Sequence, residues 1–289
     1  MNERTEWNIK DKVCMITGAN TGLGKNTAVE LAKMGAHVFL ACRSIDRTLP
    51  VINEIQTLAG PGKADYLPLN LASFASIRNC VSMFMSTGLP LHVLINNAGI
   101  AGYGGSTEDG FDMEIGVNYL GHYLLTRLLI EKLRTSAPAR IINITSYSHR
   151  RIKSIQWNLI QNPTPEFIWS NRTYPLSKFF NILFTRELAK RLDGSRVTTY
   201  AVHPGFVSTD IFRPAPLPIR LLLRAILPSS KQGAKTQIFC ATEPTISQES
   251  GQFYAGCKRG HPSTLSQNAQ LAEAITSFIF ICVDVPEPV

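Results

Sequence analysis

Tyr174 stands four residues ahead of Lys178 in the run Tyr174-Pro-Leu-Ser-Lys178. On a helix that spacing puts a phenol and an ammonium on one face. A nearby positive charge stabilises phenolate and draws the phenol pKa from about 10 towards working pH. A phenol tuned in this way is a usable general acid or base. The pair by itself is common, and its plain alternative is a surface pair on an amphipathic helix. Its weight therefore depends on what stands around it.

A second run, Thr17-Gly18-Ala-Asn-Thr-Gly22-Leu-Gly24, suits phosphate rather than proton chemistry. Glycines let the backbone turn tightly, and a helix start then offers free N–H groups to an anion. Between a predicted strand and a predicted helix the run reads as a dinucleotide-binding turn, with an ordinary tight βα turn as the alternative. Its GxxxGxG spacing differs from the GxGxxG of the common dinucleotide fold. The residue closing the next strand sets cofactor choice, because a carboxylate there accepts from the adenosine ribose and repels a 2′-phosphate. Cys42 and Arg43 occupy that place, and a guanidinium can pair with phosphate. The expectation is NADP(H) over NAD(H). Lys25, at the helix start, is either a further positive charge or a solvated surface lysine.

These residues need elements to position them. Short β-branched runs alternate with longer amphipathic segments, which predicts βαβ units and a parallel sheet. Strands are expected at Val13 to Thr17, His37 to Ala41, Tyr66 to Leu69, Val93 to Asn96, Arg140 to Ile144, Val197 to Val202 and Gln252 to Ala255. Helices are expected from about Leu23 to Met34, Gly110 to Arg134 and Tyr174 to Arg191. The strands show little apolar/polar alternation, as strands covered on both faces should. The fold class is thus α/β: one Rossmann-type doubly wound parallel sheet of about seven strands with helices on both faces. A single domain spans 1–289, with an extension at 1–10, a substrate-loop region at 206–231 and an atypical apolar tail at 275–289. Pro218 to Leu227 reads as a short apolar helix with basic punctuation.

Composition narrows the classes. Of 289 residues 44% are hydrophobic and 17% charged, so a large core forms and wholesale disorder is excluded. The formal charge of +8 suits a phosphate-bearing ligand or an anionic surface, but the basic residues are scattered and no nucleic-acid motif accompanies them. The six cysteines form no CxxC pair or metal-ligand cluster, so reduced thiols are expected, with Cys14 and Cys42 in the core, and no metal. The polar N-terminus reads as no signal peptide, and no run approaches the roughly 18 apolar residues of a spanning helix. The sequons at Asn143 and Asn171 read as chance matches.

The motifs also occur together in a known order. The chain resembles the short-chain dehydrogenase/reductases, and within them the retinol dehydrogenase branch, from about Asp11 to Gly256. The resemblance is carried by Thr17 to Gly24, Asn96-Asn-Ala-Gly99, Asn118-Tyr-Leu-Gly-His122, Asn143-Ile-Thr-Ser146, Tyr174 to Lys178 and His203-Pro-Gly205. The branch is indicated by Leu40-Ala-Cys-Arg43, Thr107-Glu-Asp-Gly-Phe111, Phe184 to Arg191 and Thr199 to Gly205. It implies Tyr174 as general acid in reduction and base in oxidation. Lys178 would hold the nicotinamide ribose and tune Tyr174, Ser146 would hydrogen-bond the substrate oxygen, and Asn118 would interrupt its helix and hold a relay water. For the cofactor it implies Gly18, Asn20, Thr21, Gly22, Leu23 and Gly24 at the turn and Arg43, Asn70 and Leu71 at the second and third strand ends. Asn97, Ala98 and Gly99 would follow the fourth strand, with Pro204, Gly205, Val207 and Thr209 around the nicotinamide.

The departures are few. Asn70 stands where the family usually has Asp, so an uncharged amide oxygen would accept from adenine. Thr145 replaces the more frequent serine, and Pro175 places the helix start near Thr173. The tail does not match the family end.

The resemblance implies a small carbonyl or alcohol substrate. Apolar side chains in Ile100 to Gly105, Ser148 to Trp169 and Phe206 to Leu227 favour a retinoid, steroid or lipid aldehyde. Two alternatives stay open: a reductase of small xenobiotic carbonyls, and a dinucleotide-binding sensor or scaffold without turnover. The expected location is cytoplasmic, with peripheral contact to the endoplasmic reticulum membrane through Leu217 to Leu227. Pairing into a homodimer through the long helices is left open, and no nucleic-acid partner is expected.

Overall fold

The computed structural model describes residues 7–58, 63–161, 172–205 and 229–283. In chain order its elements are β1 Val13–Thr17, α1 Gly22–Lys33, β2 His37–Cys42, α2 Ile45–Leu58, β3 Lys63–Pro68, α3 Phe74–Ser86 and β4 Val93–Asn96. Then come α4 Met113–Ile115, a π-helical turn Gly116–Leu120, α5 Gly121–Thr135, β5 Ala139–Ile144, a 3₁₀ turn Tyr147–Arg151 and α6 Asn158–Gln161. They end with α7 Thr173–Arg191, β6 Val197–His203, α8 Ser230–Thr242, β7 Gln252–Ala255, β8 Lys258–Arg259 and α9 Ala269–Val283.

One sheet of eight strands runs β3-β2-β1-β4-β5-β6-β7-β8. The first seven are parallel, and β8 folds back antiparallel on β7, an edge hairpin beyond the expected seven strands. Strand order reverses between β1 and β4, where crossovers leave to opposite faces and open a crevice at the strand C-terminal ends.

The lack of alternation in the strands has a direct cause. Met15, Phe39, Leu94 and Ile141 point into one apolar layer, and Cys14, Val38, Val93 and Ile142 into the other. Both faces are therefore dry, and both need aliphatic side chains. Cys14 and Cys42 are buried as expected. The sequon residue Asn143 is 1% exposed, bonded to Asn96 and Thr185 between strand and helix.

Two expectations change in detail. The helix foreseen from Gly110 to Arg134 begins at Met113 and is interrupted by the π turn around Asn118. Of the tail expected to be atypical, 275–283 fall in α9, whose Ile275, Ile279 and Val283 join the same apolar cluster as Phe180, Phe184 and Leu188 of α7, and 284–289 lie outside the described residues. No helix among the described residues is long and apolar enough to cross a membrane. The apolar helix foreseen at 218–227 lies outside the described residues.

Candidate active site

The glycine turn follows β1 directly. Gly18 and Gly22 take φ of +65° and +57°, a region side chains rarely enter. Gly24 is required for a different reason: a Cβ there would sit 2.5 Å from both the Gly18 carbonyl and the Asn97 amide. The turn is thus pressed against the end of β4, and the first N–H groups of α1 open at its rim, unpaired within the helix by construction. Asn97 sews the two strand ends together, donating from its side chain to the Thr17 carbonyl at 2.8 Å, while Asn97 and Ala98 donate their N–H groups to Thr17 Oγ1 at 2.9 Å. Gln237 of α8 braces the turn from behind, reaching Leu23 and Thr27 of α1 and Asn97.

Arg43 lies exposed at the end of β2, with no carboxylate in the closing pair Cys42-Arg43. Lys25 is bound to Glu54 of α2 at 2.7 Å. Asn70 donates to Glu108 at 3.2 Å and accepts from the Ala72 N–H at 3.2 Å, leaving its amide oxygen one further lone pair. Leu71 packs its carbonyl and side chain against Gly121 at the start of α5. Pro204 and Gly205 close β6, with Gly205 at φ +89°. Val207 and Thr209, like Phe206, Phe212, Phe167 and Trp169, lie outside the described residues.

The proton side is assembled from β5, α7 and the π turn. Ser146 caps the 3₁₀ turn after β5, with its hydroxyl accepting from the Ser148 N–H at 3.2 Å. The Tyr174 phenol, in the first turn of α7, lies close enough to that hydroxyl for the serine to lower its pKa. Lys178, one turn further, is 3% exposed and donates from Nζ to the Ile144 carbonyl at 3.1 Å. A Cβ on Gly99 would stand 3.3 Å from that Nζ, so glycine there keeps the floor of the crevice open. Asn118 is fully buried in the π turn, which breaks the helix as expected. Its side chain exchanges two hydrogen bonds with the Ile100 backbone, at 2.8 and 2.9 Å, and donates to Ser177 at 3.1 Å. Tyr174, Lys178, Ser146 and Asn118 therefore meet at one end of the sheet, beside the glycine turn.

The electrostatics differ from the sequence expectation in one respect. Burial pushes the Tyr174 phenol up to about 12; its bond to Ser146 pulls it down and the Glu114 carboxylate adds to the rise. Burial also brings the Lys178 ammonium down to about 8. Nζ lies 5.7 Å from the Tyr174 ring centroid, yet both groups are shifted towards their neutral forms. Desolvation here outweighs the mutual stabilisation that the four-residue spacing suggested.

Three buried residues escaped the sequence reading. His122 bridges the two halves of the site, with Nε2 2.8 Å from Thr17 Oγ1 and Nδ1 3.2 Å from the Asn118 carbonyl. Burial takes its pKa down to about 3, so the ring is neutral. The network assigns its proton to Nδ1, leaving Nε2 to accept from the Thr17 hydroxyl. His149 holds the Ser146 carbonyl at 2.6 Å and accepts from the Ser263 N–H at 3.0 Å. Glu114 accepts from the Gly102 and Tyr103 N–H groups and from Thr173. The i, i+4 spacing of Glu114, Asn118 and His122 in an apolar run was the available signal.

A crevice at a topological switch point, a glycine turn and a Ser–Tyr–Lys cluster together define a nucleotide-dependent dehydrogenase or reductase. Residues 12–157 match the family model for short chain dehydrogenase, and the chain belongs to that short-chain dehydrogenase/reductase family, in its retinol dehydrogenase-like branch. It is 42% identical to mouse retinol dehydrogenase 11 over 267 residues, covering 91% of this chain and 84% of that protein. It is also 42% identical to human retinol dehydrogenase 12 over 277 residues, covering 94% and 86%. Among solved structures, an uncharacterised protein from Mycobacterium paratuberculosis superposes with a TM-score of 0.76 at 28% identity, covering 98% of this chain and 97% of the other. The chain is an oxidoreductase that uses a nicotinamide dinucleotide on a small carbonyl or alcohol. The close approach of Gly18 and Gly24 to β4, and the room above Lys178 at Gly99, fit such a cofactor.

Proposed function

We propose that the chain is an NADP(H)-dependent enzyme interconverting an alcohol and a carbonyl on a retinoid or another lipophilic aldehyde or ketone. The observation that carries the reading is the convergence of the Ser146 hydroxyl and the Tyr174 phenol with the buried Lys178 beside a glycine turn. The names of the retinol dehydrogenase relatives support the substrate class. Arg43 at the end of β2, with no acid beside it, supports a 2′-phosphate. The working location is the cytoplasm, against the endoplasmic reticulum surface.

In this reading Gly18, Asn20, Thr21, Gly22, Leu23 and Gly24 hold the pyrophosphate end, Asn70, Leu71, Asn97, Ala98 and Gly99 the adenosine side, and Pro204 and Gly205 the nicotinamide. The nicotinamide, when bound, supplies or takes the hydride. Ser146 donates to the substrate oxygen and steadies its developing charge. Tyr174 delivers the proton to that oxygen in reduction and removes it in oxidation. A phenol raised to about 12 is well suited to the first of these, since an alkoxide is a stronger base than phenolate and transfer to it runs downhill. Lys178 holds the ribose hydroxyls and, while protonated, favours phenolate.

The test is a panel of retinal, a steroid ketone and an alkenal with NADPH and NADH, followed by cofactor absorbance. A lower KM for NADPH is expected, and tighter use of NADH overturns the cofactor assignment. Tyr174→Phe should lower kcat by roughly 10²–10⁴-fold while dinucleotide binding persists.

A further inference from the structure

We propose that Glu114 is a positioning residue for the proton donor: its carboxylate ties the loop after β4 to the residue that precedes Tyr174, and so fixes the turn from which the phenol is presented. The inference rests on the oxidoreductase reading above and adds to it a residue outside the Ser–Tyr–Lys–Asn set.

Glu114 is 1% exposed. One oxygen accepts from the Gly102 N–H at 2.6 Å and the Tyr103 N–H at 3.3 Å. The other accepts from the Thr173 hydroxyl at 2.6 Å. Gly102 and Tyr103 belong to the stretch that begins at Gly99, above Lys178, and Thr173 is the first residue of α7. One side chain thus spans the wall of the crevice and the helix turn that presents the phenol. Its own seat is rigid. Asp112 caps α4, accepting from the Glu114 and Ile115 N–H groups at 3.0 and 3.1 Å. A Cβ on Gly116 would lie 2.2 Å from Thr107, so the backbone of the next turn is pressed against the loop in front of it. A buried side chain that accepts from three donors in a fixed geometry locks the segments that supply them.

Charge enters by the same route. Among the described residues, the titratable groups around Glu114 are Asp112 on its own turn, Tyr103 in the loop, and Tyr174 and Lys178 on α7. Burial and Asp112 raise the Glu114 pKa, while the three donors hold it down. An anion here opposes loss of the proton from Tyr174 and from Lys178 alike. A merely structural carboxylate satisfies loop amides and leaves the acidity of the pair alone.

The discriminating measurement is the pH profile of kcat/KM in both directions for wild type and Glu114→Gln. The isosteric amide keeps an acceptor for the loop and removes the charge, so the whole profile should move to lower pH by about half a unit to one unit, with most of its height kept. A profile that superposes on wild type, or moves to higher pH, overturns the charge role. Thr173→Val removes one donor without touching the charge. It should lower kcat about tenfold with little change in KM, and an unchanged kcat overturns the positioning role. Amide hydrogen exchange at Gly102 and Tyr103 should quicken at least tenfold in Glu114→Ala, and unchanged exchange overturns the tie to the loop. Exchange needs no turnover: a wild-type chain inactive on every substrate sinks the oxidoreductase reading, while the exchange data still judge the loop tie.

Discussion

At the glycine turn, shape comes from atoms that are missing: a single methyl at Gly24 would collide with the Gly18 carbonyl and the Asn97 amide at 2.5 Å. On the other side of the crevice, shape comes from side chains that fill it. Ser146 is steered by His149, Asn118 by Ile100 and Ser177, and the Tyr174 turn by Glu114 through Thr173. The first construction is steric, and under the proposed function it constrains where a ligand's phosphates lie. The second is long-range and polar, and under the proposed function it constrains where a proton goes. The difference implies that substitutions should sort by side, damaging either dinucleotide affinity or turnover.

Ser146→Ala gives the largest separation. Loss of a donor to the developing oxyanion should lower kcat by roughly 10²–10³-fold with dinucleotide affinity unchanged; a parallel loss of affinity in fluorescence titration breaks the division. Gly24→Val tests the steric side, and its overpacking should remove about 3 kcal/mol, roughly a hundredfold in dinucleotide affinity, by the same titration. Retained affinity means the turn relaxes and shape there is not steric. Acidity should weigh most on the proton side. Lys178 loses its proton around pH 8, so reductive kcat/KM should fall towards tenfold per unit as pH rises above about 8, while dinucleotide binding, in which Lys178 holds only the ribose hydroxyls, should weaken far less across the same range. Constant reduction up to pH 10 removes the ammonium from the mechanism. His122 joins the halves through Thr17 and Asn118, so His122→Phe should cost each side about 1 kcal/mol. A loss on one side only would make the bridge incidental.

Legibility in the sequence followed the same division. The strand cores were readable because apolar runs covered on both faces need no tertiary knowledge, and β1, β4 and β7 fall where the pattern placed them. The glycine turn was readable because the positive φ at Gly18 and Gly22 is a local backbone demand, although the contact of Gly24 with Asn97 is made only by the fold. Tyr174 and Lys178 were readable from spacing, but their acidity was not. Four-residue spacing predicts attraction between the two, whereas burial depends on how β5, α5 and α7 close around them. His149 gave no signal of its own, since its partners at Ser146 and Ser263 are joined only by the fold. Glu114 and His122 left a trace, as polar positions four apart from Asn118 on an apolar helix. Reading that trace requires knowing that the face looks inward.

The packing of α9 along α7 carries a consequence for how the enzyme behaves in solution. Ile275, Ile279 and Val283 sheathe the flank of the helix that bears Tyr174, so the chain brings its own splint for that segment. Specific activity per chain should then stay level on dilution from micromolar to nanomolar, and trimming the splint should make it concentration-dependent.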